Sequence, residues 1–242
     1  MLSLEILIRE AEIAHGHLCA GQILGVRMAM LGLAKLGIDD PRGKDRKRLV
    51  TFVEIDRCAT DAIGVVTGCR LGKRALKFRD WGKMAATFVD LNAKHSDLVI
   101  PSRPEPRLRG EDGEESAFCR SQQPGARLKP SVGLSGFAAD HWYKAIRIAA
   151  KESSKQLARD LHPEIENKNQ QQMLAYRELS DDDLFSTQWV KVELLPEEFP
   201  GYKSSRIVCA QCGEGINFHR EVTHEGKILC RSCAGEIYYE LL

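Results

Sequence analysis

The sequence lacks an excess of charge of either sign. Lysine and arginine together number 35 and aspartate and glutamate 34, which gives a formal net charge of +1. A protein that binds nucleic acid or an anionic membrane through its overall charge needs a surplus of cations. The composition therefore excludes a global electrostatic attraction to either partner, and nucleic acid is not an expected ligand.

Long hydrophobic runs are also missing. No apolar stretch approaches the roughly 20 residues that cross a bilayer, so we expect no membrane segment. Residues 1–10 interleave acidic and apolar side chains without the charged, apolar and small regions of a secretory signal. Because cysteines in zinc-type C-x-x-C pairs, and others without an evident disulfide partner, suit a reducing compartment, we expect a cytoplasmic protein.

Cysteine is not scarce, and half of the eight cysteines lie near the C-terminus in two C-x-x-C pairs. Cys209 and Cys212 form the first pair and Cys230 and Cys233 the second, with seventeen residues between the pairs. This spacing is typical of one zinc ion held by four thiolates. The alternatives are two disulfides or four unrelated buried thiols. The spacing, and the glycines that follow the first pair, favour structural zinc.

Composition and patterning divide the chain into four regions. The predicted regions are an α+β core with a His/Cys motif (1–100), a Pro- and charge-rich insertion or loop (101–139), a helical segment and strand that complete the core (140–200), and a four-cysteine zinc finger (201–242). In the third region, the spacing of Trp142, Ile146, Ala149 and Ala150 predicts a helix. The alternation from Trp189 to Leu194 predicts a strand.

Three metal-binding residues lie within five positions near the N-terminus. Alternation would place His15, His17 and Cys19 on one side of an extended chain. Imidazole and thiolate together are typical ligands of zinc and related ions, so the motif indicates a metal site. The alternative is a core cysteine beside two surface or capping histidines. A largely buried helix is predicted from Gly21 to Leu36, and Gly25 in it would allow another backbone to approach closely.

Two further cysteines flank a predicted short helix. Residues 48–56 alternate as a strand, Cys58 lies just before the helix, and Cys69 lies just after it. A continuous helix would separate the two thiols by about 16 Å, so they should not share one ion. Cys58 is the better candidate to join His17 and Cys19. Cys69 is either a ligand or a structural thiol.

Taken together, these motifs resemble the family named after the E subunit of formylmethanofuran dehydrogenase. The resemblance covers about residues 10–100, and it resumes near residue 180 and continues through the zinc finger. It rests on five motifs, His15-Gly-His17-Leu-Cys19-Ala-Gly21, Asp56-Arg-Cys58-Ala-Thr-Asp61, Thr67-Gly-Cys69, Gly72-Lys73 and Trp81-Gly-Lys83. Ala20 departs from the proline that is usual in the family.

The resemblance implies an α+β fold, with a helix packed on an antiparallel sheet, and assembly as a homodimer. It also implies a metal-containing pocket and a partner oxidoreductase subunit, but no particular reaction. The family positions that would line the pocket are His15, His17, Cys19, Cys58, Asp61, Cys69 and Lys73. Without the resemblance, Lys73 is either a contact to an anionic ligand or a solvated turn lysine.

Two functions follow as hypotheses. The first is a metal-binding accessory protein associated with redox or one-carbon chemistry, with structural zinc in the finger and a second ion, expected to be zinc, at His15, His17, Cys19 and Cys58. If that site is enzymatic, Asp61 or His15 is the proton-transfer group. The alternative is a zinc-finger adaptor for a protein or nucleic-acid partner. From Lys203 onward five cations balance five anions, which disfavours nucleic acid.

Overall fold

The computed structural model describes residues 1–94 and 141–240. The predicted insertion, with Cys119, lies outside the described residues. The described helices are α1 (Leu4–His15), α2 (Ala20–Leu36), α3 (Cys58–Thr67), α4 (Ser153–Leu161), α5 (Lys168–Glu178) and α6 (Asp181–Leu184), with short 3-10 helices at Leu71–Lys73 and Pro196–Glu198. The strands are β1 (Leu49–Val53), β2 (Leu76–Phe78), β3 (Ala85–Lys94), β4 (Trp142–Ala150), β5 (Phe185–Glu193), β6 (Ile207–Val208), β7 (Gly215–Ile216), β8 (Val222–His224) and β9 (Lys227–Leu229).

The first five strands form one sheet in the order β2-β1-β3-β4-β5. Neighbouring strands run antiparallel except β1 and β2, which are parallel and pair Thr51 with Leu76. Helices α1, α2 and α3 pack against each other, and α2 also packs on β3 and β4. The predicted α+β fold with a helix on an antiparallel sheet is therefore confirmed.

The main core lies between these helices and one face of the sheet. Ile23 and Leu33 of α2 are fully buried in the same apolar cluster as Phe88 of β3 and Ile146 of β4. Each such side chain contributes about 1.5–3 kcal/mol through removal of apolar surface from water. Helix α2 is buried over most of its length, as its apolar sequence predicts.

The helix predicted from Trp142 to Ala150 is instead strand β4, so that prediction is wrong. Ile146 and Ile148 face the helices, whereas Tyr143 and Ala145 belong to a second apolar cluster on the opposite face of the sheet. Because both faces of this strand are covered, apolar residues occupy both sides and the two-residue alternation disappears. The resulting apolar run matches a helical spacing by accident. The second predicted strand is present and begins four residues earlier, at Phe185.

The C-terminal residues form two small two-stranded sheets, β6 with β7 and β8 with β9. Arg74 joins this region to the core, because its guanidinium donates to the backbone carbonyls of Glu197 and Tyr202. The same guanidinium lies 3.7 Å from the centre of the Phe218 ring. No helix in the described ranges combines the length and apolar character that crossing a membrane requires.

Candidate metal centres

The four C-terminal cysteines converge at one point. Their sulfur atoms all lie within 4.8 Å of one another, and Cys212 Sγ is 3.8 Å from Cys230 Sγ. Thiolates at about 2.3 Å from a tetrahedral zinc ion are separated by about 3.8 Å, so the spacing fits zinc. Every cysteine that the structure describes is a free thiol, which disfavours the disulfide alternative.

Backbone amides in this cluster favour the thiolate form of Cys209, which is the form that binds a metal. Backbone N–H groups of Cys212 and Cys230 point at the Cys209 sulfur and lower the pKa of that thiol to about 6. The hydrogen bond from Cys230 raises the pKa of Cys233 to about 12, because neighbouring sulfurs compete for the remaining protons. A bound zinc ion would take the place of these protons, since zinc binds thiolates rather than thiols.

A second group of donors forms where α1 ends and α2 begins. Donor atoms of His15, His17 and Cys19 all lie within 4.8 Å of one another. The predicted extended chain is wrong, because His15 is the last residue of α1 and Cys19 is the N-cap of α2. Gly16 reverses the chain between them with φ of 93°, a value that favours glycine. The three donors converge across a helix end.

Asp61 on α3 supports this cluster. Its carboxylate lies 2.8 Å from Nδ1 of His15. A carboxylate that holds one imidazole nitrogen leaves the other nitrogen for a metal, which is the usual environment of a ligating histidine. Asp61 is exposed and His15 is half-buried, so the donor group opens toward solvent.

Cys58 adjoins the cluster without belonging to it. As the first residue of α3 it lies beside Cys19, and both thiols line a cavity of about 470 Å³. Burial, followed by a hydrogen bond with Cys19, raises the pKa of the Cys58 thiol. The structure therefore brings Cys58 beside Cys19 but places it outside the group of three converging donors.

Two of the residues that the resemblance implied for the pocket lie elsewhere. Cys69 is buried in the main core, where its thiol contacts the hydroxyl of Thr51 at 3.5 Å and the carbonyl of Leu49 at 3.8 Å. Burial raises the pKa of this thiol. Lys73 lines a separate cavity near Arg70. Both residues follow the C-terminal end of α3, whereas Cys58 is its first residue.

The sequence interpretation missed residues from the third region. Asn169 of α5 accepts a hydrogen bond from the backbone N–H of Ala20 at 3.1 Å and so holds the start of α2 next to Cys19. Lys151, Ser154 and Tyr176 also line the cavity that Cys19 and Cys58 share. The bond from Ala20 to Asn169 joins positions 149 residues apart, and the local sequence carries no signal for it.

Comparisons with known proteins agree with this architecture. A chain from Syntrophus aciditrophicus, described as a tungsten formylmethanofuran dehydrogenase FmdE-like protein, superposes with a TM-score of 0.53 over 99% of this chain and 96% of that one. Their sequences are 17% identical, so the match supports the fold alone.

A sequence relative is known from Archaeoglobus fulgidus, described as a probable S-adenosyl-L-methionine-binding protein. It is 40% identical over 85 residues, which are 35% of this chain. The chain spans about a quarter of the length of that relative, since the matched part is 23% of it. The name of the relative therefore describes a much longer protein.

Two families match the chain directly. Residues 201–239 match the prokaryotic dksA/traR C4-type zinc finger, which supports zinc at the four C-terminal cysteines. Residues 14–186 match the family described as FmdE, molybdenum formylmethanofuran dehydrogenase operon. That match covers well over half of the sequence and includes every donor of the N-terminal cluster, so the chain belongs to the FmdE family.

Proposed function

We propose that the protein is a metal-binding accessory protein of redox or one-carbon chemistry, with a second metal ion, zinc or a related ion, in its core. The observation that carries this proposal is the convergence of His15, His17 and Cys19 within 4.8 Å. Membership of the FmdE family and the zinc finger support metal binding in general.

The donor set fits zinc. Two imidazoles and one thiolate are borderline-soft ligands, and three protein ligands leave a coordination position for water or substrate. Asp61 orients His15, and Asn169 fixes the backbone next to Cys19. Cys58 either provides a fourth ligand to the metal ion or lines the side of the site where a substrate would bind.

The cavity between Cys19 and Cys58 supplies space for a small ligand. Its volume of about 470 Å³ falls in the range of small-molecule sites. Lys151 and Lys155 line the side contributed by the start of α4. A zinc ion held by the three donors would supply Lewis acidity beside Cys19, the donor that lines this cavity. If the metal site is enzymatic, Asp61 or His15 would transfer the proton. No particular reaction follows from these residues.

Assembly and location belong to the same proposal. We propose a homodimer, which light scattering after gel filtration tests directly, and a partner oxidoreductase subunit. We also propose a cytoplasmic location, because thiol ligands persist best in a reducing compartment.

Metal content per chain tests the core site. Protein purified without chelator or affinity-tag metal should contain about two ions, and Cys19→Ala about one, because one ligand of a three-donor site is lost. The matched control is Cys69→Ala, which removes a buried thiol outside the cluster and should retain about two ions. One ion in all three proteins would contradict a core metal site and leave only the finger.

A further inference from the structure

A cavity of about 760 Å³ lies where α1, the loop before β1 and the turn after α3 meet. Cationic side chains dominate its lining. Among the described residues, the charged ones that line it are Arg42, Arg46, Lys47, Arg70 and Lys73, with Glu10 as the single anion. Since the whole chain has a net charge of +1, this cleft concentrates positive charge that the rest of the molecule balances.

Most of these cations have no ion-pair partner in the part of the chain that the structure describes. Arg42 is paired with Glu10 at 2.5 Å, which neutralises both. Within the described ranges, neither Arg70 nor Lys73 has a salt bridge or side-chain hydrogen bond, and the same holds for Arg46 and Lys47. Cations gathered in one concavity repel each other, so the arrangement destabilises the fold unless an anion compensates it.

The backbone holds the cations in place. Arg70 and Lys73 lie at the two sides of the 3-10 turn, which the bond from Lys73 N–H to the Arg70 carbonyl closes at 3.1 Å. Arg74, the next residue, is tied to the carbonyls of Glu197 and Tyr202. The hydrogen bonds of Arg74 therefore fix the position of the turn. The side chains of Arg70 and Lys73 remain available to a ligand.

We propose that this cleft binds a small polyanion, best matched by the diphosphate group of an organic molecule. A diphosphate places several anionic oxygens on adjacent centres, and arginine and lysine recognise such oxygens by charge-assisted hydrogen bonds. The volume is that of a small-molecule site. Nucleic acid fits less well, because the cations surround one concavity instead of following an extended groove.

Calorimetric titration of the zinc-loaded full chain with inorganic pyrophosphate at low ionic strength tests the site. Lys73→Gln and Arg70→Gln should each weaken binding about tenfold, the loss typical of one charge-assisted hydrogen bond. Glu10→Gln should tighten binding, because it removes the one anion that the described residues place in the lining and releases Arg42. The matched control Lys168→Gln removes a cation at the start of α5 and should bind as the native chain does.

Further binding measurements distinguish this site from the candidate metal centre and distinguish pyrophosphate from other ligands. Cys19→Ala should bind pyrophosphate with native affinity, so the proposal can fail or succeed independently of the core metal. Citrate and orthophosphate should bind more weakly than pyrophosphate; equal binding of citrate would overturn the phosphate assignment. Equal affinities for Lys73→Gln and Lys168→Gln would overturn the site. Duplex DNA or RNA binding that is lost in Lys73→Gln, without pyrophosphate binding, would replace the small polyanion by a nucleic acid.

Discussion

At the scale of single residues, Glu54 and Arg147 form a bidentate ion pair on the sheet face opposite α2. The two bonds are 2.7 and 2.6 Å long, and the Glu54 side chain is only 3% exposed. Arg147→Met should lower the free energy of unfolding by about 3–5 kcal/mol, because it leaves a buried carboxylate unpaired. Denaturant unfolding measures this difference.

The exposed pair of Arg9 and Glu12 provides the comparison for that prediction. Its arginine side chain is 70% exposed. Arg9→Met should therefore change the free energy of unfolding by less than about 1 kcal/mol. Similar losses in the Arg9 and Arg147 variants would show that burial does not govern the strength of these pairs.

Cys69 gives a prediction about pH. Burial raises the pKa of its thiol above the ordinary value of 9.0. Above pH 9.0 the unfolded chain releases this proton while the folded chain keeps it, so the thiol's contribution to stability is present below that pH and is lost as pH rises. Between pH 7 and pH 10, the free energy of unfolding of the native chain relative to Cys69→Ala should therefore fall as the pH rises. A pH-independent difference in unfolding free energy would contradict this.

At the scale of elements, close contact between α2 and α3 depends on Gly25. A Cβ atom there would lie 2.5 Å from the Ala59 carbonyl oxygen and 2.9 Å from the Ala62 Cβ. Gly25→Ala should therefore lower the free energy of unfolding by about 1–3 kcal/mol, although alanine favours helices. Because α3 begins with Cys58, we also expect a wider separation between Cys58 and Cys19.

Gly72→Ala is the control for that substitution. Gly72 has open space at the Cβ position and no positive φ, so the change in unfolding free energy should stay within about 0.5 kcal/mol. If thermal unfolding shows equal effects for the two variants, the close helix contact does not limit stability.

Elements with local signals were predictable. Helix α2 follows from its apolar sequence, and the four-cysteine cluster follows from its spacing. Helix α3 lies where a short helix was predicted, although it begins at Cys58 and not after it. Strand β4 was not predictable from periodicity, because both of its faces are buried. Its partner strand β3 ends at Lys94, far from Trp142 in the sequence, so no short hairpin turn marks the pairing.

The candidate site was predictable in its donors but not in its surroundings. The motif with His15, His17 and Cys19 identifies the three donors, but an extended chain would hold His15 and Cys19 about 13 Å apart. Their convergence depends on the turn at Gly16, which ends α1. Asn169 comes from a distant helix, and Lys73 faces a different cavity. Both placements depend on packing between elements, which the local sequence does not encode.

At the scale of the whole molecule, the main core and the zinc finger differ in how they are stabilised. The main core buries side chains from several helices and strands. The finger buries only Cys209, Ile216 and Leu229 among its described apolar residues. So small a cluster cannot offset the conformational entropy of ordering the finger, and metal ligation has to supply the difference.

Metal removal should therefore unfold the finger without unfolding the core. Chelation or Cys212→Ser should make residues 203–240 sensitive to limited proteolysis, while the core keeps its melting temperature within a few degrees. Gln211→Ser changes the exposed neighbour of a ligand and should leave protease resistance intact. Identical digestion patterns for Cys212→Ser and Gln211→Ser would contradict structural zinc. A joint collapse of core and finger would instead show that the Arg74 contacts make them one cooperative unit.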